Sequence, residues 1–313
     1  MIDIADIEAA RVRIAPWIRQ TPVAPLTQLK TPLPGGPRVT LKLECLQVTG
    51  SFKARGATNR LLVTPRDHIA NGVVTASGGN HGLAVARAAY AADVPGIVYV
   101  PASVSPVKVA HMKAWNARVE VIDGTWESAN TLALEHAERN GASYIHPFAD
   151  PMVVAGQGTL GLDILEQLTD MDAILVAIGG GGLISGLATA IRAKRPSVRI
   201  IGVEPIGSPT LKASLDAGRC IALPAVTTKV ATMACRQTDE RIFDIVRHTV
   251  DDIVLVSDEA MEAASRWLWF EMAVAADLSG AASLAALRQG LPGIANATHI
   301  CALVCSAGPE GTT

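Results

Sequence analysis

The sequence has few aromatic side chains, 4% of its residues, and little charge, 18%. Its 27 basic and 29 acidic residues leave a formal charge of −2. A nucleic-acid binder normally shows a basic face or stripe, and this balance argues against one. Long apolar runs are missing as well. A membrane span needs roughly 18 consecutive apolar residues, and the richest stretch, Trp267 to Leu287, is interrupted by Glu271 and Asp277. Asp3, Asp6 and Glu8 near the N-terminus do not make a signal-peptide pattern. The five cysteines (Cys45, Cys220, Cys235, Cys301, Cys305) include no CxxC pair. That excludes the usual disulfide framework or zinc site and fits reduced thiols in a cytoplasmic protein. There is no HExxH, no GxSxG elbow and no Walker A lysine, so zinc-protease, serine-hydrolase and P-loop chemistry fall away. No repeat or Ser/Gly linker divides the chain, and the Pro/Gly-rich Thr31 to Pro37 reads as a loop ahead of a strand. The sequence ends four residues after Pro309, so a C-terminal regulatory domain is not expected.

Hydrophobic residues are abundant, at 49%. Short apolar runs alternate with Ala-rich helical stretches, the pattern of an α/β protein with a parallel sheet. Strands are predicted at Val39–Leu43, Val73–Ala76, Ile97–Val100, Val119–Ile122, Ala173–Ile178, Ile200–Val203, Ile253–Val256 and Ile300–Cys305. Helices are predicted at His81–Ala92, Val107–Trp115, Glu127–Asn140, Leu160–Leu168, Leu183–Lys194, Asp258–Ala276 and Ala281–Gln289. Ser257-Asp258-Glu259 reads as a helix cap followed by acidic residues that complement the helix dipole.

Four segments carry chemistry. Gly179, Gly180, Gly181 and Gly182 follow a strand and open a helix, where backbone amides free of any Cβ approach an anion. Thr75 to Gly82 has the same placement. There the amides, with Ser77 and Asn80, suit a carboxylate or a cofactor hydroxyl, although an ordinary helix cap would look alike. Gly156-Gln157-Gly158-Thr159-Leu160-Gly161 is a literal GxGxxG, but no acidic residue follows at the ~20-residue spacing of a ribose contact, and dinucleotide binding is rejected. Lys53 lies between Phe52 and small residues just past a strand. Partial desolvation there would lower its pKa and give a neutral amine able to form a Schiff base, whereas a lone lysine is ordinarily a solvated charge.

Taken together, these segments resemble the threonine/serine dehydratase and serine racemase branch of the pyridoxal-phosphate enzymes with the tryptophan-synthase-β fold. The resemblance is carried by Thr49-Gly50-Ser51-Phe52-Lys53-x-Arg55-Gly56-Ala57, by Ser77-Gly78-Gly79-Asn80-His81-Gly82 and by the four glycines. His146-Pro147-Phe148 and Gly156-Gln157-Gly158-Thr159 match the branch's hinge. The resemblance implies two α/β domains, a large one from residues 1–65 and 150–313 and a small mobile one at 66–149, in a homodimer. It implies pyridoxal 5'-phosphate held by Lys53 beside Phe52, with its phosphate on Gly179 to Gly182. The ring hydroxyl would meet Asn80 and the ring nitrogen Ser306. Ser77, Gly78, Gly79, Asn80 and His81 would hold the amino-acid substrate, and Lys53 would act as the Cα base. A neutral hydroxyl at Ser306 would leave the ring a weaker electron sink, which favours β-elimination. The implied reaction converts an L-β-hydroxy amino acid, by default threonine or serine, to a 2-oxo acid and ammonia.

The departures from the branch matter as well. Gly78 stands where racemases carry a second serine, so at most weak racemase activity is expected. The family's Ala-Asp-Gly reads Ala231-Thr232-Met233, which keeps open a bulkier or modified substrate of the phenylserine or hydroxyectoine-pathway type. A Glu-Pro pair reads Asp277-Leu278. Glu204-Pro205 resembles the start of a divalent-cation loop, but Thr210 replaces an aspartate ligand. One carboxylate plus carbonyls binds a hard cation loosely, so Glu204 is as readily structural as metal-binding.

Overall fold

The computed structural model describes residues 2–290 and 296–312. All eight predicted strands form within about two residues of their expected limits, and they fall into two sheets. The larger has the order β1-β2-β10-β7-β8-β9, with β1 Val23–Pro25, β2 Arg38–Leu43, β7 Ala173–Ala177, β8 Arg199–Pro205, β9 Asp252–Val256 and β10 His299–Val304. Only β1, on the edge, runs antiparallel. The smaller is entirely parallel, in the order β5-β4-β3-β6, with β3 Val73–Ala76, β4 Gly96–Pro101, β5 Arg118–Ile122 and β6 Ser143–Tyr144. The central strands β3, β7 and β10 are buried along their whole length, which is why they read as continuous apolar runs.

Helices cover the sheets. Those that position the site are α1 Ile4–Ile14, α2 Lys53–Val63, α3 Asn80–Ala91, α4 Pro106–Ala114 and α5 Trp126–Asn140 from the first half of the chain. From the second half come α6 Pro151–Gln167, α7 Gly182–Lys194, α8 Thr210–Ala217, α9 Glu240–Thr249, α10 Asp258–Met272 and α11 Leu278–Arg288. Four of these, α1, α2, α8 and α9, were not predicted as helices. The cap predicted at Ser257 is present, its hydroxyl accepting from the Ala260 amide at 3.1 Å.

Two helices depart most from expectation, while α11 begins three residues before the predicted Ala281. α6 begins nine residues before the predicted Leu160, capped by Asp150, whose carboxylate accepts from the Met152 and Val153 amides at 2.7 and 3.2 Å. The glycines of the GxGxxG segment are thus inside a helix and not in a loop. α10 stops at Met272 and not Ala276, because Ala273 turns left-handed at φ 51°.

The reason for the α6 glycines is contact. A Cβ on Gly156 would stand 2.7 Å from the Arg55 carbonyl of α2. One on Gly158 would stand 2.7 Å from the Ile7 side chain of α1 and 2.9 Å from the Gly186 carbonyl of α7. α6 is therefore the buried pillar on which α1, α2 and α7 rest. Its glycines trade helix propensity for backbone-to-backbone approach.

Candidate active site

In parallel sheets ligands collect at the carboxyl ends of the strands. Here β2, β10 and β7 are neighbours, with Leu43 opposite Val304 and Leu175 opposite Ala302. That register brings the Lys53 segment, Ser306 and the glycine run to one edge of one sheet. Two bonds join the first pair, Phe52 N to the Cys305 carbonyl at 3.1 Å and Ala307 N to the Gly50 carbonyl at 2.8 Å. Ser306 is fully buried beside Ser51.

Lys53 is the first residue of α2. Its Nζ donates to the Pro147 carbonyl at 2.6 Å and lies 5.2 Å from the centroid of the half-buried Phe52 ring. Burial lowers its pKa to about 8, and no carboxylate offsets that effect. The adjacent His146 is pushed down to about 4, first by burial and then by the Lys53 charge. Its Nδ1 accepts from the Phe148 and Ala149 amides at 3.2 and 2.9 Å.

The segment is anchored from below. Arg55, two residues on and fully buried, donates Nε to Glu44 Oε1 at 2.6 Å and Nη2 to Asp163 Oδ2 at 2.9 Å. It also reaches Thr159 Oγ1 at 3.1 Å, while the Gly56 amide donates to Gln157 Oε1 at 3.2 Å. The lysine motif and the GxGxxG segment thus dock on each other. Removing one partner of such a buried pair ordinarily costs about 3–5 kcal/mol.

The glycine run is a built cradle. Gly181 has φ +90°, and Cβ atoms on Gly180 and Gly182 would come within 2.3 Å and 2.7 Å of Phe148. The close approach of Phe148 leaves room only for glycine at the start of α7, where a helix favours an anion. Across from the cradle, the Gly79 amide donates to Ser77 Oγ at 3.3 Å, and α3 begins at Asn80. Asn80 Nδ2 donates to Asp277 Oδ2 at 3.1 Å.

The predicted loop residues also have a packing role. The His81 ring is buried, its Nε2 beside the Ile145 carbonyl at 3.1 Å, and its pKa lies well below the usual value through burial and the Lys53 charge. Its side chain is turned into the core, leaving only its backbone for a substrate. A Cβ on Gly78 would fall 2.0 Å from a Val104 methyl, so that volume is already filled. In the Ala231-Thr232-Met233 segment Met233 is buried, and exposed Thr232 stands by both loops. Its methyl lies 3.5 Å from the Cβ position of Gly79 and its carbonyl 3.0 Å from that of Gly179.

Glu204 is buried, and burial pushes its pKa up to about 7. Its oxygens accept from the Leu211 and Lys212 amides at 2.8 and 2.9 Å, so the carboxylate caps α8. The Ser208 and Thr210 hydroxyls donate to the Cys235 carbonyl. No group of three or more His, Cys, Asp or Glu among the described residues is placed to hold a metal. A cavity of about 720 Å³ between α1, α6 and α7 lies away from Lys53. Its charges pair with one another, Arg11 with Glu166 and Lys194 with Glu8.

A family model for pyridoxal-phosphate dependent enzymes matches residues 14–306. The chain belongs to that family. Its residues fit the cofactor, since a desolvated amine and a Cβ-free anion cradle meet at one sheet edge. The chain is 42% identical to an L-threonine ammonia-lyase of Geobacter sulfurreducens over 249 residues, covering 80% of this chain and 62% of that protein. It is 34% identical to a phenylserine dehydratase of Ralstonia pickettii over 311 residues, 99% of this chain and 94% of the relative. The solved structure of maize serine racemase superposes with a TM-score of 0.93 at 34% identity, covering 97% of this chain and 93% of that one. Among the described residues no helix is long and apolar enough to cross a membrane. Prediction singled out the Ala231-Thr232-Met233 segment that carries Thr232, and gave no role to the Pro147 carbonyl or to Asp277. For the last, the only sequence signal was its place in the Asp277-Leu278 departure.

Proposed function

We propose that this chain is an ammonia-lyase that dehydrates and deaminates an L-β-hydroxy amino acid of the threonine/serine type to a 2-oxo acid and ammonia. The observation that carries the reading is Lys53, an amine of lowered pKa 2.6 Å from the Pro147 carbonyl, placed beside the glycine cradle. Pyridoxal phosphate, held through Lys53, supplies a ring that withdraws electrons from the substrate's Cα. Gly179 to Gly182 hold its phosphate, Asn80 its ring hydroxyl and Ser306 its ring nitrogen. The loop amides from Ser77 to His81 and the Ser77 hydroxyl bind the substrate carboxylate. Lys53 would take the Cα proton, and general-base assistance of this kind is worth roughly 10²–10⁴-fold.

Residues 66–149 act as a small mobile domain that closes over the substrate and excludes water from the reactive product. Side-chain ties to the rest of the chain include Asn80 to Asp277 at 3.1 Å, Lys53 to the Pro147 carbonyl at 2.6 Å and Arg241 to the Ala149 carbonyl at 2.9 Å. The five unpaired cysteines support a cytoplasmic setting, and the homodimer rests on resemblance alone. Glu204 has a capping role, because both of its oxygens are already bonded to backbone amides.

The alignment with phenylserine dehydratase over nearly the whole chain, with Thr232 beside both loops, supports a second reading in which the β-substituent is larger. One substrate panel tests both. Protein loaded with pyridoxal phosphate is assayed for 2-oxo acid and ammonia from L-threonine, L-serine and L-phenylserine, beside Lys53→Ala. Turnover of any one that vanishes in Lys53→Ala supports the lyase, and the preferred substrate chooses between readings. Racemisation of serine without ammonia release would overturn both.

A further inference from the structure

β8 ends at Pro205 and α8 begins at Thr210, and the short turn between them closes on a distant segment. Ser208 Oγ donates to the Cys235 carbonyl at 3.0 Å, and Thr210 Oγ1 donates to the same carbonyl at 2.5 Å. A carbonyl oxygen has two lone pairs, so this one is fully used. The Cys235 amide returns a bond to Ser208 Oγ at 3.0 Å. Glu204 has one oxygen on the Leu211 amide and the other on the Lys212 amide. Among the described residues, Glu204, Ser208 and Thr210 leave no buried side-chain oxygen without a partner.

The divalent-cation loop that Glu204-Pro205 resembles needs a different arrangement. Ca²⁺ takes about six to eight oxygen ligands and Mg²⁺ about six in an octahedron, carboxylates prominent among them. Here the one carboxylate faces backbone amides, the two hydroxyls face a carbonyl, and that carbonyl has no lone pair left. The donor set does not fit a hard cation. What the hydroxyls hold instead is the back of the glycine cradle. Cys235 follows a tight turn in which the Met233 and Ala234 amides donate to the Val230 carbonyl at 2.8 and 3.0 Å. The Thr232 carbonyl and Met233 Cα of that turn lie 3.0 and 3.2 Å from where a Cβ on Gly179 would stand. Just past Cys235, the Thr238 hydroxyl donates to the Gly180 carbonyl at 3.0 Å.

We propose that Ser208 and Thr210 are positioning residues for the cofactor phosphate, two hydroxyls that fix the Cys235 segment behind the cradle, so that this chain binds its cofactor independently of divalent cations. The inference rests on the proposed placing of that phosphate at Gly179 to Gly182. Ser208 and Thr210 are 1% and 0% exposed, so water does not compete for the carbonyl they share.

The test titrates pyridoxal phosphate into the cofactor-free parent, Thr210→Val, Thr210→Ser, Ser208→Ala and Ser214→Ala, in EDTA and again with millimolar Mg²⁺ or Ca²⁺. The Schiff-base band gives the affinity, and urea midpoints are taken alongside. A cation bound to the native state would raise the midpoint, and the parent should show one affinity and one midpoint throughout. Thr210→Val and Ser208→Ala should each bind the cofactor about fivefold more weakly, the size of one buried hydrogen bond, with no recovery on adding either cation. Thr210→Ser restores the hydroxyl and should bind as the parent does. Ser214 Oγ donates to the Thr210 carbonyl and does not reach Cys235, so Ser214→Ala should lower the urea midpoint and leave the affinity of the folded protein unchanged. A parent whose affinity or midpoint falls in EDTA and returns with a cation overturns the inference. So does parental affinity in Thr210→Val or Ser208→Ala, and so does an equal loss of affinity in Ser214→Ala, which would reduce the hydroxyls to supports of α8. Where Thr210→Val fails to fold, Ser208→Ala and the parent in EDTA still decide. Absence of a Lys53-dependent Schiff-base band in the parent overturns the site assignment itself, which is a separate and recognisable failure.

Discussion

Two glycine clusters in this chain look alike in sequence and work in opposite ways. Gly179 to Gly182 lie at a strand-to-helix junction, where Gly181 takes φ +90° and the backbone is left open to an anion. Gly156, Gly158 and Gly161 lie within α6, where the missing side chains admit other helices. The first cluster exposes backbone to a ligand, and the second buries backbone against backbone. Counting glycines cannot tell them apart. What separates them is whether the preceding residues form a strand or a capped helix turn.

Substitution should separate the clusters by effect. The largest is expected at Gly186, the α7 partner of Gly158, where a Cβ would lie 2.2 Å from the Val154 carbonyl and 2.7 Å from the Gly158 amide. Alanine gains about 1 kcal/mol in helix propensity. The overpacking, against backbone that cannot swing aside, costs about 3 kcal/mol or more and wins. Urea denaturation of Gly186→Ala should show a loss of at least about 2 kcal/mol, with cofactor affinity per folded molecule unchanged.

Next comes the amine beside the cradle. In the cofactor-free protein Lys53 has a pKa of about 8 against its ordinary 10.5. Between those values the unfolded chain binds more protons, so the lysine's contribution to stability rises as pH climbs through that window. The buried thiols, raised to about 11 or 12, pull the other way above pH 9. They cancel in the difference between parent and Lys53→Met. That variant should be the more stable below about pH 8 and lose its advantage towards pH 10.5, as read from paired urea midpoints. A difference that does not vary with pH would mean the amine is not desolvated.

Gly181→Ala should act on stability and on the ligand together, since its Cβ would stand 2.5 Å from an Ile242 methyl. Left-handed backbone costs an alanine about 1–2 kcal/mol, and a fluorescence titration should show pyridoxal phosphate held about tenfold less tightly, as for one misplaced phosphate contact. Unchanged affinity in a destabilised protein would move this glycine into the packing class. The smallest effect belongs to Gly161→Ala, whose Cβ would sit 3.0 Å from Ala190 Cβ and the Leu187 carbonyl. There the propensity gain and the squeeze nearly offset, leaving a change within about 1 kcal/mol in urea.

Much of the fold was legible. The central parallel strands are buried on both faces, and β2, β3, β4, β5, β7, β8, β9 and β10 all lie where short apolar runs stand between Ala-rich stretches. Helices with ordinary composition, α3, α4, α5 and α7, were equally plain. α6 was truncated because local propensity penalises the glycines that tertiary packing requires. α9 was overlooked although it had a signal: Asp239 accepts from the Arg241 amide, and Ile242, Phe243, Ile245 and Val246 form one apolar face. The site's lysine, asparagine, cradle and serine could be named from motif order, and the register of β2, β10 and β7 brings the lysine, serine and cradle to one edge. His81 was read as part of a loop that binds through its backbone, and nothing in the sequence showed that its ring is buried.

The amino-acid sequence alone determined the class of the protein and its cofactor. Alternating burial sets local structure, and a lysine followed by an arginine and glycines at fixed spacing is a property of contiguous residues. Only the tertiary structure decided which groups tune that site. Asp277 meets Asn80 across 197 residues, Thr232 comes to stand beside Gly79 and Gly179, and Val104 fills the space behind Gly78. Each of these contacts depends on the three-dimensional placement of separate elements, and neither composition nor spacing along the chain encodes a distance across it.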